Sequence, residues 1–353
     1  MAVKIDGTLG INAIQPVALT DKLGRRNYLI NGNFDEWDYA TSQTSAGYGS
    51  DNRWFNDNSG STKTHLQVAC GDTERALFNA MYFSRTKVTS SSGSGNFVVK
   101  QQKIENVNLL AGKTITLSFW AKADSNKNIA IEFYQYFGTG GSPSAAVVGI
   151  NSQLVALTTS WQKKTIVVTF PSIVGKTLGS DGVQTTYTGL MFWFDAGSNY
   201  NSETANLGQQ SGTFDIAQVK IEDGSVATNG WHPYDGEFGS EIQACERYCE
   251  TSNKSGALAS EVTDVDNRGG GIWYFRTAKR IIPTIYFMGS VSDYSMYNAN
   301  SGNTIDITNL SSVGIGLSNA RLLGSTSSNI SKGQGTVLGS KNNNAYVIAL
   351  AEL

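Results

Sequence analysis

The sequence predicts an all-β protein, a β-sandwich followed by a short helix and a second, smaller β-sandwich domain, and three observations carry that expectation. Apolar and polar residues alternate at a period of two through many short runs, the spacing of a strand with one buried face. These runs are separated by Gly/Ser/Asn-rich segments such as GTGGSPS and DAGSNYNSE, with almost no helical patterning between them. The 353 residues include 38 Gly but only 5 Pro, the texture of strands joined by turns, in a chain long enough for two domains.

Taken in order, residues 1–26 contain one proline, Pro16, and no sustained periodicity, so they read as an N-terminal arm. The clearest strand is TITLSFWAKA, where Ile115, Leu117, Phe119 and Ala121 alternate with Thr114, Thr116, Ser118 and Trp120. In NIAIEFYQYF, Ile129, Ile131, Phe133 and Phe137 share one face, and Ala130, Glu132, Tyr134 and Tyr136 the other. WQKKTIVVTF, LMFWF and TFDIAQVKIE continue the series, and strands at this frequency argue for a sandwich over residues 27–226. A connector, 227–255, holds the single helix signal: Ser240 with Gln243 three residues on fits a capping box, and Ile242, Cys245 and Cys249 make one apolar stripe. Beyond it GIWYFR, PTIYFMG, NTIDITNL and AYVIALAEL return to strands and define the smaller domain, 256–353.

Composition narrows the function. Charged residues are 16% of the chain and Lys+Arg 27 nearly cancels Asp+Glu 29, so no field draws in a polyanion and nucleic acid is excluded as the main partner. No apolar run is long enough to span a bilayer, so membrane insertion is not expected, and the N-terminus lacks the pattern of a secretory signal. Three cysteines, Cys70, Cys245 and Cys249, are too few for a disulfide framework, and His65 with His232 leaves a zinc site short of ligands. The triplets Gly112-Lys113-Thr114 and Gly175-Lys176-Thr177 lack the phosphate loop's earlier glycine, since Val107 and Phe170 occupy its place; they read as strand-entry turns. No serine elbow or nucleophile–histidine arrangement emerges, and the expectation is a protein without enzymatic activity or cofactor.

Several phrases resemble those of bacteriophage tail fibre and receptor-binding proteins. NYLINGNFDEW, residues 27–37, is similar to that family's opening strand, and DNRWF, 51–55, to its aspartate-x-arginine-tryptophan phrase with one insertion. The segments QQKIENVNLLAGKTITLSFWAKAD and TTSWQKKTIVVTFPSIVGKTLG look like its central strands. Cys245, Arg247 and Tyr248 match a cysteine-x-arginine-tyrosine phrase, while Asn229-Gly230-Trp231 and Cys249 depart from the pattern. Arg276, Pro283-Thr284-Ile285 and the ending Ala351-Glu352-Leu353 extend the likeness more loosely. The resemblance implies a jelly-roll sandwich of the carbohydrate-binding-module type, a terminal β domain, a homotrimer, a place in the virion and attachment to other virion proteins through the arm. Its implied partner is a host surface polysaccharide or lipopolysaccharide. A structural decoration or connector protein with no sugar ligand is the other reading.

Sugars present apolar C–H faces to aromatic rings and hydroxyls to carboxylates and amides. Alternation sets Trp120, Glu132, Tyr134 and Tyr136 opposite the core positions, and Trp193 joins them if Leu190, Phe192 and Phe194 point inward. These five are the candidate carbohydrate-binding residues, against the alternative that the rings fill a second packed layer. A structural calcium between Asp35 and Asp215 is weighed against two exposed strand-end aspartates.

Overall fold

The computed structural model describes residues 27–78, 80–231, 233–234 and 238–353; the predicted arm, 1–26, and His232 lie outside the described residues. Two compact units divide the chain. One holds the described residues through Asp35 together with Asn58–Ser240, and the other holds Glu36–Asp57 and Glu241–Leu353.

Counted from the N-terminus, β1 (Ser42–Gln43) and β2 (Phe55–Ser59) precede the nine strands of the first unit. These are β3 (Thr62–Ala69), β4 (Tyr82–Thr89), β5 (Phe97–Glu105), β6 (Thr114–Ala123), β7 (Lys127–Tyr136), β8 (Val147–Leu157), β9 (Gln162–Thr169), β10 (Tyr187–Ala196) and β11 (Gly212–Asp223). One sheet runs β3-β4-β11-β6-β9 and the other β5-β10-β7-β8. Numbering the eight strands β4 to β11 from one to eight gives spatial orders 1-8-3-6 and 2-7-4-5. Apart from the β7–β8 hairpin, consecutive strands of this set thus cross from sheet to sheet in the double Greek key of a jelly roll, which is the predicted sandwich.

Alternation decides what fills it. Ile115, Leu117, Phe119 and Ala121 of β6 and Ile129, Ile131 and Phe133 of β7 are fully buried, each such large side chain contributing about 1.5–3 kcal/mol. Phe119 meets Phe192 of the opposite sheet edge-on at 5.2 Å, and Phe133 meets Phe170 at 5.3 Å. The opening segment runs against β11: Val219 N donates to Gly32 O at 2.8 Å and Tyr28 N to Ile221 O at 3.0 Å. A Cβ at position 32 would stand 2.1 Å from Val219 O, so only glycine allows this approach. A helix the sequence did not announce, α1 (Asp72–Leu77), lies between β3 and β4.

The second unit contains β12 (Cys249–Thr251), β13 (Gly256–Val262), β14 (Arg268–Tyr274), β15 (Thr284–Met288), β16 (Tyr294–Asn298), β17 (Asn303–Asp306), β18 (Asn309–Val313), β19 (Asn319–Ser325), β20 (Gly335–Ser340) and β21 (Tyr346–Leu350). They form antiparallel sheets in the orders β12-β21-β15, β13-β20-β16-β17 and β14-β19-β18 around Tyr294, Met296, Leu322, Leu338 and Val347.

The predicted boundaries shift at two points. Residues 36–57, expected in the sandwich, belong to the second unit, which also begins at Glu241 and not at 256. The cause is a buried cluster distant in sequence. Arg53, 1% exposed, pairs with Glu352 and lays its guanidinium 3.5 Å from the centre of the Tyr248 ring. Arg280 Nε donates to Ala351 O at 3.0 Å, and Tyr48 Oη to Leu353 O at 3.1 Å. Within 36–57 itself, Asn56 Nδ2 donates to Gln43, Ser50 and Asp51 at 3.0, 3.0 and 2.9 Å. The helix also differs from its reading. α2 (Phe238–Glu246) contains Ser240 in its first turn and ends before Cys249, which opens β12. Cys245 is buried but Ile242 is 47% exposed, so the expected stripe is broken: a helix that stops at Glu246 never brings Cys249 onto its face.

Candidate functional site

The outer face of the β5-β10-β7-β8 sheet carries most of the candidate residues, and strand register places them in rows. Residues directly opposite in an antiparallel ladder share a face. Four rows follow, written β7, β10, β5: Ala130, Trp193, Val99; then Glu132, Met191, Gln101; then Tyr134, Gly189, Lys103; then Tyr136, Tyr187, Glu105.

Burial falls along these rows. Trp193, 4% exposed, packs against Tyr200 at 5.1 Å and Phe97 at 5.8 Å, inside a small apolar cluster with Val99, Ala130 and Ala196. Glu132, 2% exposed, accepts from Trp193 Nε1 at 2.9 Å and from Gly149 N at 2.8 Å. Burial pushes its carboxyl up to about 7, against the pull of those two donors.

The remaining two rows are half-buried and aromatic. Tyr134 lies over Gly189, where a Cβ would approach its ring to 2.0 Å, so the glycine makes the slot. Its Oη donates to Gln101 Oε1 at 2.9 Å. Tyr136 stacks on Tyr187 at 4.9 Å and 29°, Tyr134 meets Tyr187 edge-on at 5.7 Å, and Lys103 Nζ stands 5.1 Å from the Tyr187 ring centre. Three tyrosines, an amide and an ammonium therefore stand together on one sheet face. Such a surface offers rings to sugar C–H groups and donors and acceptors to hydroxyls.

Of the five predicted residues, the structure brings Glu132, Tyr134, Tyr136 and Trp193 onto one face. It sets Trp120 on the other sheet, opposite Ala217 of β11. There Trp120 packs with Phe78 at 5.9 Å, and Phe78 meets Trp161 at 4.9 Å, under the chain that leaves α1. The error lay in reading β6 and β7 as one surface, whereas the jelly roll sends these two consecutive strands to opposite sheets. Sequence reading missed Tyr187, Gln101 and Lys103. Extending the β10 alternation back from Trp193 through Met191 and Gly189 reaches Tyr187, and the same alternation in β5 gives Gln101 and Lys103.

The aspartates weighed for calcium are engaged elsewhere. Asp215 accepts from Nε and Nη2 of Arg85 at 2.7 and 2.8 Å, and Asp35 accepts from Asn33 Nδ2 at 2.7 Å. Among the described residues no group of three or more His, Cys, Asp or Glu side chains is placed to hold a metal ion.

No protein-family model and no curated protein matches the chain. Solved structures similar to part of it include a CBM4 structure, 19% identical over 55% of this chain and 98% of that one, with a TM-score of 0.31. A family 11 carbohydrate-binding module from Clostridium thermocellum, in complex with a β-1,3-1,4-mixed-linked tetrasaccharide, is 11% identical over 52% of this chain and 94% of that one, TM-score 0.31. The enzymatically active domain of bacteriophage CBA120 tailspike protein 4 is 12% identical over 56% of this chain and 21% of that one, also at 0.31.

Proposed function

We propose that this chain is a non-enzymatic tail fibre or receptor-binding subunit of a virion that recognises host surface glycan, polysaccharide or lipopolysaccharide, on the outer face of its β5-β10-β7-β8 sheet. One observation carries the reading: Tyr134, Tyr136 and Tyr187 are half-buried and grouped in two adjacent rows with Gln101 and Lys103 beside them. Rings held by sheet geometry lose little conformational freedom on binding, which favours recognition of a weakly interacting ligand such as a sugar. Trp193 and Glu132 act beside this surface, in the adjoining buried rows, as its support, and Trp120 has no part in it. The virion setting is supported by the family phrases, three of which supply Arg53, Tyr248 and Glu352 to one buried cluster. In this reading the chain is a homotrimer, needs no cofactor, does not enter a membrane and docks on other virion proteins through residues 1–26.

The test is an array of host polysaccharides and lipopolysaccharides probed with the full chain and with Tyr187→Ala. Selective capture that the variant loses is the expected result. Capture of nothing, or equal capture by both proteins, rejects the reading. Release of reducing ends or unsaturated oligosaccharides from a captured polysaccharide would overturn the non-enzymatic part, and a monomer mass by light scattering the trimer.

A further inference from the structure

We propose that Glu132 is a proton-operated latch beside the aromatic face: as a carboxylate it holds Trp193 and the Gly149 backbone together, and on protonation it loosens its hold on one of them. The latch itself stands on geometry; its effect on ligand rests on the saccharide-binding reading above.

Both oxygens of Glu132 are committed to groups that only donate, Oε1 to Gly149 N at 2.8 Å and Oε2 to Trp193 Nε1 at 2.9 Å. A neutral carboxylic acid turns one oxygen into a donor. That hydroxyl oxygen is a much poorer acceptor toward the N–H it faces than a carboxylate oxygen, so one of the two bonds is weakened.

The two partners sit beside irregularities in the strand ladders. Gly149, with φ +67°, lies in the stretch where the β7–β8 ladder shifts register between Ile131 and Phe133 and again between Phe133 and Gln135. Trp193 is the ring against which Tyr200 and Phe97 close, and β10 shifts register against β5 directly after it. Glu132 is one row from Tyr134, Gly189 and Lys103, so a movement of β8 or of Trp193 reaches the tyrosines through adjoining side chains.

The groups facing Glu132 fix where it titrates. β10 offers Met191 and Trp193, β8 offers Gly149, and β5 offers Gln101, with Lys103 and Tyr134 one row further on. From the 198–204 segment comes Glu203, whose negative charge adds to the effect of burial. The carboxyl therefore changes state within the neutral range.

The experiment follows the Trp193 indole N–H and the Gly149 amide by NMR in the labelled full chain between about pH 5.5 and about pH 8.5, bracketing the carboxyl's titration near 7. At least one of the two signals is expected to shift with a midpoint near neutrality, and Glu132→Gln, which keeps the shape and removes the titration, to abolish that shift. Signals that stay still in the wild type, or that still titrate in the variant, overturn the latch. This arm uses no ligand. The second arm measures affinity for purified smooth lipopolysaccharide over the same range, where weakening of one charge-assisted hydrogen bond predicts a loss of about tenfold at the acid end. Absence of binding at every pH rejects this lipopolysaccharide as ligand and leaves the NMR result to decide the latch. Binding that is flat with pH while the signals titrate rejects the coupling to ligand.

Discussion

Two of the places where a cation meets a tyrosine in this molecule have opposite consequences. In the second unit the Arg53 guanidinium lies 3.5 Å from the Tyr248 ring centre, 1% exposed and ion-paired with Glu352. On the outer face of the jelly roll the Lys103 ammonium stands 5.1 Å from Tyr187, half-buried at the rim of an aromatic surface. The chemistry is similar and the burial is not. A charge taken fully out of water must keep its partners, so the first arrangement fixes a fold; a charge at the edge of water keeps hydration it can exchange, so the second is the one proposed to receive a ligand.

The largest effect tests the closed side of that contrast. Glu352→Ala leaves Arg53 buried without its carboxylate and is expected to cost about 3–5 kcal/mol, read as an earlier denaturant transition. Replacing both, as Arg53→Met with Glu352→Leu, should cost less than the single change, because two apolar side chains leave no stranded charge. A double variant as unstable as the single one would mean that the pair itself, and not the orphaned charge, holds the cluster.

Next come the two tryptophans that the sequence offered as ligand contacts. Trp193→Ala removes a ring 4% exposed and should cost about 3–5 kcal/mol of stability, with Trp120→Ala near the lower end because it is only partly buried. If either variant melts with the wild type, its ring is not packed as described.

Here the reach of the sequence becomes visible. Inner positions such as Ile115, Leu117, Phe119 and Phe133 were legible because alternation alone sends them to the core. What covers an outer face was not: Trp120 is covered by Phe78, which follows α1, and Trp193 by Tyr200, from the chain after β10. The phrases containing Arg53, Tyr248 and Glu352 were each visible, but their meeting joins positions 299 residues apart, which no local pattern encodes.

A smaller effect separates two buried groups of the jelly roll by pH. His65, wholly buried, has its imidazole pushed well below the ordinary range by burial, with Lys100 and Lys63 adding to it. The unfolded chain takes that proton near about pH 6.5 and the folded chain does not, so His65 makes stability fall as pH drops below that value, by up to about 1.4 kcal/mol per pH unit. Glu132 acts with the opposite sign: its folded value of about 7 exceeds the unfolded one, so the stability it lends grows as pH falls through 7 and is lost as pH rises. Denaturation at a series of pH values should therefore show His65→Asn gaining stability toward acid relative to wild type, and Glu132→Gln losing it. Parallel curves for all three proteins would show that neither group is linked to folding.

The smallest stability change is expected at Tyr136, on the surface proposed for recognition. Tyr136 is half-buried and stacked on Tyr187, and its removal forfeits that ring pair, worth about 0.5–1.5 kcal/mol, without opening a cavity in the core. Tyr136→Ala should thus melt within a few degrees of wild type while losing about tenfold or more in affinity for a captured glycan, since the sugar loses one ring and the Tyr187 ring loses its support. Tyr136→Phe separates the contributions. If stacking carries the interaction, phenylalanine restores most of the affinity; if the phenol oxygen does, it restores little. The outcome that breaks the comparison is a Tyr136→Ala protein that binds as well as wild type, because the open face would then be as purely structural as the closed one.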